Sequence, residues 1–196
     1  MLKDFIFAVL RPFLNLYIRL RYRDFWALKK HLQTHRSKLL ELCYTHHFMA
    51  LGSFIGLKCH LENTPYFPHG ARGVFLSSDC SIGRDAVIFQ QVTIGSNGLE
   101  GTRHPGSPTI GDNVYIGAGA KIIGGITVGD RCRIGANAVV YEDLPADSVA
   151  VCAPTRILQR ENLDNTYRTT IGGREYYYRD GALRVATDKE PAGAAK

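Results

Sequence analysis

Aliphatic residues recur in this chain at every sixth position, and few folds accept that period. Ile82, Ile88 and Ile94 are six apart, and after an interruption Ile110, Ile116, Ile122, Val128, Ile134 and Val140 continue the series. Small residues fill the next position in most repeats, as at Gly83, Gly95, Gly111, Gly117, Gly129 and Gly135. A period of six fits neither the 3.6-residue turn of a helix nor the two-residue alternation of a strand. It fits a parallel β-helix, in which three short strands make one coil of about eighteen residues. Each repeat sends one aliphatic side chain inward onto its equivalents above and below. Gly and Ala suit the corners, where tight bends need φ > 0 or leave little room for a side chain.

The repeat also divides the chain. Ile55 to Leu61 and Val74 to Leu76 read as a degraded first coil, disturbed by Pro65 and Pro68. The period decays after Leu144-Pro145, and Val149 to Pro154 reads as the last strand, leading into Arg156-Ile157-Leu158. Three segments are therefore expected: a helical arm over 1–54, the β-helix over 55–160, and a C-terminal extension over 161–196. Within the arm, residues 2–20 space Leu2, Phe5, Ile6, Val9, Leu10, Phe13, Leu14 and Tyr17 helically, with Pro12 kinking or dividing that helix. Residues 23–47 read as a second, more polar helix. Residues 166–187 alternate around Gly172-Gly173 and Asp180-Gly181, which predicts a small β-meander over the coil end, and 188–196 read as a disordered tail.

Charge is confined to one of these segments. The net charge of +6 suggests nucleic acid until it is located. Nine basic side chains (Lys3, Arg11, Arg19, Arg21, Arg23, Lys29, Lys30, Arg36, Lys38) oppose only Asp4 and Asp24 in residues 1–40, so the arm carries +7 and the rest of the chain −1. Phe5, Phe7, Phe13, Tyr17, Tyr22, Phe25 and Trp26 interleave with those cations. A basic amphipathic helix of this kind suits an anionic lipid leaflet better than a nucleic-acid groove, and it also serves as a cap on the repeat. Uncharged runs reach only Phe5–Leu10 and Pro12–Ile18, short of the ~20 residues that span a bilayer, and no cleavage-site pattern follows. Five cysteines without a C-x-x-C pair read as reduced thiols of a cytoplasmic protein. The location expected is cytoplasmic, with peripheral contact to the inner face of the plasma membrane as the further reading.

Chemistry is expected where the period breaks. Sixteen residues, rather than six, separate Ile94 from Ile110, which extrudes an extended loop over 95–109 containing Arg103 and His104. The other irregularity, Phe67-Pro68-His69-Gly70-Ala71-Arg72-Gly73, also carries a histidine. A zinc site of the β-helix carbonic anhydrase kind needs three histidines within the repeats, and residues 70–160 contain only His104, so no metal is expected.

These motifs, in order, resemble the hexapeptide-repeat acyltransferases with a left-handed β-helix, and most of all their serine acetyltransferase branch. The resemblance spans residues 55–160 and rests on His69-Gly70-Ala71-Arg72-Gly73-Val74, Gln90-Gln91-Val92-Thr93-Ile94-Gly95 and Thr102-Arg103-His104-Pro105. It continues through Ile116-Gly117-Ala118-Gly119-Ala120-Lys121-Ile122 and Ile134-Gly135-Ala136 to Ala153-Pro154-Thr155-Arg156-Ile157. The resemblance implies a homotrimer that binds acetyl-CoA between neighbouring β-helices and passes the acetyl group directly to an acceptor hydroxyl. It implies His69 as general base, since imidazole is poised to take a proton near neutral pH. His104 would help to hold the acceptor, with Arg103 and Arg72 on the acceptor side. Gly95, Ala118, Ala136, Lys121 and Arg156 would line the coenzyme groove.

Two departures from that branch set the expected acceptor. Pro68 stands where many serine acetyltransferases carry an acidic residue, so another carboxylate or a backbone carbonyl must orient His69. The helical segment is also short, about 54 residues. Together with the basic arm, these departures favour a sugar hydroxyl of a capsular or exopolysaccharide, or of its precursor, as the acceptor. Free serine is the alternative, and a non-catalytic β-helix scaffold is the rival from another class.

Overall fold

The computed structural model describes residues 2–99, 101–152, 168–179 and 182–186, without side chains for 2–11, 168–169 and 178–179. Arg156, the motif around it and the tail 188–196 lie outside the described residues. The chain forms two compact units, 1–153 and 154–196.

The first unit begins with three helices. Helix α1 (Leu2–Tyr22) contains Pro12 without being divided by it. The single helix expected over 23–47 is instead two, α2 (Phe25–Thr34) and α3 (Lys38–Met49). Asp24 starts α2 by accepting hydrogen bonds at Oδ1 from the Trp26 and Ala27 amides, at 3.0 and 2.8 Å. No Gly or Pro marks the break, which falls at His35, with extended φ −125° and ψ 97°. Each helix then has its own buried face: α2 buries Leu28, Lys29 and Leu32, and α3 buries Cys43, Tyr44 and Phe48. The pair then caps the first coil, where the Tyr44 hydroxyl donates to the Ile55 carbonyl at 2.9 Å.

The repeat winds as expected. Coil one holds β1 (Phe54–Ile55) and β2 (His60–Leu61), and Tyr66 bridges to the coil below in place of a third strand. Coil two holds β3 (Phe75–Leu76), β4 (Ser81–Ile82) and β5 (Val87–Ile88). Coil three holds β6 (Thr93–Gly95), β7 (Thr109–Ile110) and β8 (Tyr115–Ile116). Coil four holds β9 (Lys121–Ile123), β10 (Thr127–Val128) and β11 (Arg133–Ile134). Coil five holds β12 (Val139–Val140) and β13 (Val149–Ala150), and Leu144 bridges to Val128 of coil four in place of a strand on the second face.

Every pairing between coils is parallel, which makes three faces. Face one stacks β1-β3-β6-β9-β12, face two β2-β4-β7-β10, and face three β5-β8-β11-β13. Aliphatic side chains meet in register, as Leu76, Ile94, Ile122 and Val140 do along face one. The eight periodic positions from Ile82 to Ile134 are at most 2% exposed, so the period is the core.

The glycines differ from expectation in one respect. The left-handed corner positions are held largely by non-glycine residues: Asp85, Gln91, Asn113, Arg131, Asn137 and Asp147, with φ between 54° and 63°. Asn and Asp tolerate that region because their short side chains bond locally. Glycine after the aliphatic position is instead required by the next coil. A Cβ on Gly117 would lie 2.7 Å from the Ala136 nitrogen and 2.9 Å from the Ile134 oxygen.

In the second unit, β14 (Arg168–Ile171), β15 (Arg174–Arg179) and β16 (Ala182–Val185) form an antiparallel meander. Gly172 and Gly173, with φ 58° and 79°, make the two-residue turn, and Ile171 pairs with Arg174 across it.

Candidate active site

Where face three turns into face one, the corner segments 67–74, 89–92, 117–120 and 135–138 lie one above another. Their backbones are laddered: the Gln91 amide donates to Arg72 O (3.0 Å), Gly119 to Gln90 O (3.0 Å) and Asn137 to Ala118 O (2.8 Å). This edge carries His69, Arg72, Ala118, Ala136 and Lys121. Where face one turns into face two, a second edge carries Gly95, Arg103 and His104. The structure therefore sorts the sequence-predicted residues onto two edges of the prism, and within one chain the two histidines are not brought together.

His69 is exposed beside a cavity of about 420 Å³, lined also by Arg72, Gly73, Gln90 and Gln91. Its ring stands edge-on to Phe89, with centroids 5.7 Å apart, and Phe89 in turn leans on Tyr115. Among the described residues, neither a carboxylate nor a carbonyl hydrogen-bonds this imidazole. In the same cavity wall the Gln90 Oε1 is buried without a hydrogen-bond partner. Such an orphan costs on the order of 1–3 kcal/mol.

The segment bearing His69 is held from the helical side, by residues that the repeat pattern does not mark. Trp26 stacks on Phe67 with centroids 5.3 Å apart and planes 7° from parallel, and packs edge-on against Phe48. Ser53, 3% exposed, donates its hydroxyl proton to Ala71 O and accepts from the Val74 amide at 3.3 Å. The Gly73 amide donates to Leu51 O at 3.2 Å. In the sequence Trp26 stood out only as one of the aromatics interleaved with the basic arm.

Lys121 is engaged rather than free. Its ammonium donates to Gln91 O and Gly119 O, both at 2.8 Å, across two coils of the edge. A coenzyme phosphate would have to compete with those carbonyls. Ala118 is half-buried and Ala136 exposed, so the edge beside Lys121 is lined by methyl groups.

The second edge is organised by its own loop. Asn97 and Gly106 exchange backbone hydrogen bonds at 2.8 Å, and the Ser96 and Ser107 hydroxyls meet at 2.6 Å. The loop closes on itself as a short hairpin and lies down on the next coil, where the Gly125 amide donates to His104 O at 3.0 Å. Gly124, with φ 95°, makes room, because a Cβ there would lie 2.6 Å from His104 O. His104 is half-buried, and Arg103 turns away to Glu142 at 2.9 Å, an exposed pair. Gly124-Gly125 lies within the regular six-residue step from Ile122 to Val128, so the period did not mark it as the seat of the loop. Gly95 accepts the Gly124 amide at its carbonyl.

Among the described residues there is no group of three or more His, Cys, Asp or Glu side chains arranged to hold a metal ion. No described helix is long and apolar enough to cross a membrane.

Residues 107–142 match the bacterial transferase hexapeptide family, described as six repeats. A serine acetyltransferase of Staphylococcus aureus is 38% identical over 115 residues, covering 56% of this chain and 52% of that protein. The structure of Neisseria gonorrhoeae serine acetyltransferase in complex with serine is 26% identical with a TM-score of 0.56, covering 68% of this chain and 53% of the other. A serine acetyltransferase in complex with CoA is 30% identical with a TM-score of 0.56, covering 68% and 54%. The chain spans about half the length of the curated relatives it matches.

Five stacked parallel coils with a hexapeptide period make a left-handed β-helix, similar to that of the hexapeptide-repeat transferases whose repeats residues 107–142 match. The relatives and solved structures this chain resembles are serine acetyltransferases.

This placement corrects the expected acceptor. A capsular or exopolysaccharide sugar, or its precursor, is not supported, because the relatives that match are serine acetyltransferases. The features that suggested a sugar do not report on an acceptor. Pro68 is one residue in a segment held by Trp26 and Ser53, and the short helical region closes the first coil instead of lining the cavity beside His69.

Proposed function

We propose that this chain is an acetyl-CoA-dependent O-acetyltransferase acting on the hydroxyl of free serine. The observation that carries the reading is the His69 edge: an exposed imidazole beside a cavity, above a backbone ladder that carries Ala118 and Gly119, in a β-helix similar to that of serine acetyltransferases. In this mechanism His69 takes the hydroxyl proton as the serine oxygen attacks the thioester carbonyl carbon. The tetrahedral intermediate then collapses, the C–S bond breaks, and the proton on His69 passes to the departing CoA sulfur. O-acetylserine and CoA leave, and the imidazole is restored. Donors that meet the oxyanion are each typically worth ~3 kcal/mol or more.

The working assembly we infer is a homotrimer, in which one copy's His69 edge faces the Gly95–His104 edge of its neighbour. The separation of the two edges within one chain supports this arrangement. So does face one between them, where Phe54, Phe75 and Val139 point outward and remain 45–62% exposed. On this reading His104 and Arg103 serve the neighbour's acceptor, while Ala118 and Ala136 border the coenzyme. The basic arm is proposed to touch anionic lipid through α1, supported by Phe13, Leu16 and Leu20 at 56–80% exposure beside Arg19 and Arg21.

The test is CoA release from acetyl-CoA with L-serine as acceptor, and detection of a serine product heavier by one acetyl group. Turnover with serine is expected; binding of CoA without turnover on serine overturns the acceptor, and no CoA binding favours a scaffold. Sedimentation of the whole chain with anionic vesicles, lost on deleting residues 1–20, tests the arm.

A further inference from the structure

Two buried thiols meet at the edge where face one turns into face two, apart from the residues that line the His69 cavity. Cys59 and Cys80 stand immediately before β2 and β4, whose paired residues His60 and Ser81 are in register, so the two cysteines occupy equivalent rungs of neighbouring coils. Their sulfurs are 3.0 Å apart, and the residues are 0% and 1% exposed. Adjacent strands lie ~4.8 Å apart, within the Cα range that a disulfide spans. A cation stands over the pair: buried Lys29 of α2 donates its ammonium to Cys59 O at 2.5 Å and to Leu57 O at 3.2 Å. The other three cysteines are apart from this cluster; Cys132 and Cys152 sit with the Pro145 and Ala136 carbonyls.

We propose that Cys59 and Cys80 form a redox-active dithiol that closes to a disulfide when a peroxide-class oxidant reaches it. Cys80 is the attacking sulfur. Either sulfur can donate in the contact between them; with Cys59 as the donor the Cys80 thiol is held below the ordinary range, and the nearby Lys29 charge acts in the same direction. Cys59 is pushed upward as the donor of that bond and by burial, so it keeps its proton. The Cys80 thiolate attacks one peroxide oxygen, the O–O bond breaks, and a sulfenic acid forms as water leaves. The Cys59 sulfur then attacks the sulfenic sulfur, its proton leaves with the hydroxyl as a second water, and the S–S bond is made. Two thiols are oxidised by two electrons and one peroxide is reduced to two waters. Helix α2 covers this end of the stack through Lys29 and Gln33, so a local opening of α2 admits a water-sized oxidant.

The bond would staple a specific piece of chain. Between Cys59 and Cys80 lies the segment 65–73, with Phe67, His69 and Arg72. Closing that loop removes freedom from the unfolded chain and ties the segment's two ends together across neighbouring coils.

The whole chain treated with hydrogen peroxide, a few equivalents over protein, tests this. Intact mass is expected to fall by about 2 Da, with one Cys59–Cys80 cross-link in the peptide map and reversal by dithiothreitol. The unfolding midpoint should rise by roughly 5–10 °C on oxidation. Cys59→Ala and Cys80→Ala should each abolish the mass loss. Stepwise gain of oxygen without the 2 Da loss, or a cross-link through another cysteine, overturns the proposal. If the alanine variants do not fold, the wild-type peptide map decides alone.

Discussion

The edge that bears His69 and the edge that bears His104 are built on different principles. The first is regular: its corners repeat coil after coil, joined by backbone hydrogen bonds, and its one irregular segment is clamped by the helical arm through Trp26 and Ser53. The second is an insertion that folds on itself and leans on a glycine pair one coil below. A reactive side chain on the first edge inherits its position from the core and the cap. One on the second depends on a hairpin with few buried contacts, the kind of element that moves on ligand binding. On the proposed reading, the rigid edge supplies the proton acceptor and the adaptable edge holds the amino-acid acceptor.

The comparison breaks most sharply at His69. His69→Ala is expected to lower kcat by ~10²–10⁴ with CoA binding retained, read by steady-state kinetics and calorimetric titration. Unchanged kcat would remove the His69 edge from the chemistry.

Trp26→Ala should act on the same edge from a distance. Losing the stack on Phe67 is expected to cost about 2–3 kcal/mol of stability and to lower kcat in folded protein, while Trp26→Phe restores most of both. Denaturant unfolding and kinetics on the pair check this, and a loss of stability with kcat intact would mean that Trp26 holds only the fold.

On the second edge, Gly124→Ala places a Cβ against His104 O at a left-handed φ. A cost of about 1–3 kcal/mol is expected, with KM for serine raised more than KM for acetyl-CoA. Equal changes in both would show that the loop does not touch the acceptor.

The smallest effect belongs to neither edge. Arg131 makes two hydrogen bonds of 2.7 Å to Asp147 and holds its carboxyl below the ordinary range. The sign follows: this pair stabilises above the ordinary carboxylate pKa near 4, and the contribution is lost as pH falls through the lowered value. Asp147→Asn should leave neutral-pH stability nearly unchanged and slightly flatten its acid dependence, because the pair is open to solvent.

The repeat was legible from Ile82 to Val140 because each rung is encoded by one residue six positions from the next. The candidate site was legible as two breaks in that period, His69 and the loop over 95–109. The acceptor was not, because Pro68 and the basic arm describe how the segment is held and how the chain is charged, and neither is a contact with substrate. The division of 23–47 at His35 carries no Gly or Pro to announce it and shows only in the extended backbone there.

The sequence by itself determined the β-helix, since translational stacking needs nothing beyond a repeated inward aliphatic residue. Only the tertiary structure decided which edge each break falls on, that Lys121 is held by two carbonyls, and that glycines answer to the neighbouring coil while Asn, Asp, Gln and Arg take the left-handed turns. It also brought Cys59 to Cys80 across one turn of the coil. The reason is common to all of these: they depend on what lies one coil away, about eighteen residues distant in the regular repeat and further where the period breaks. A pattern read along the chain marks the rung and leaves its neighbour to the winding.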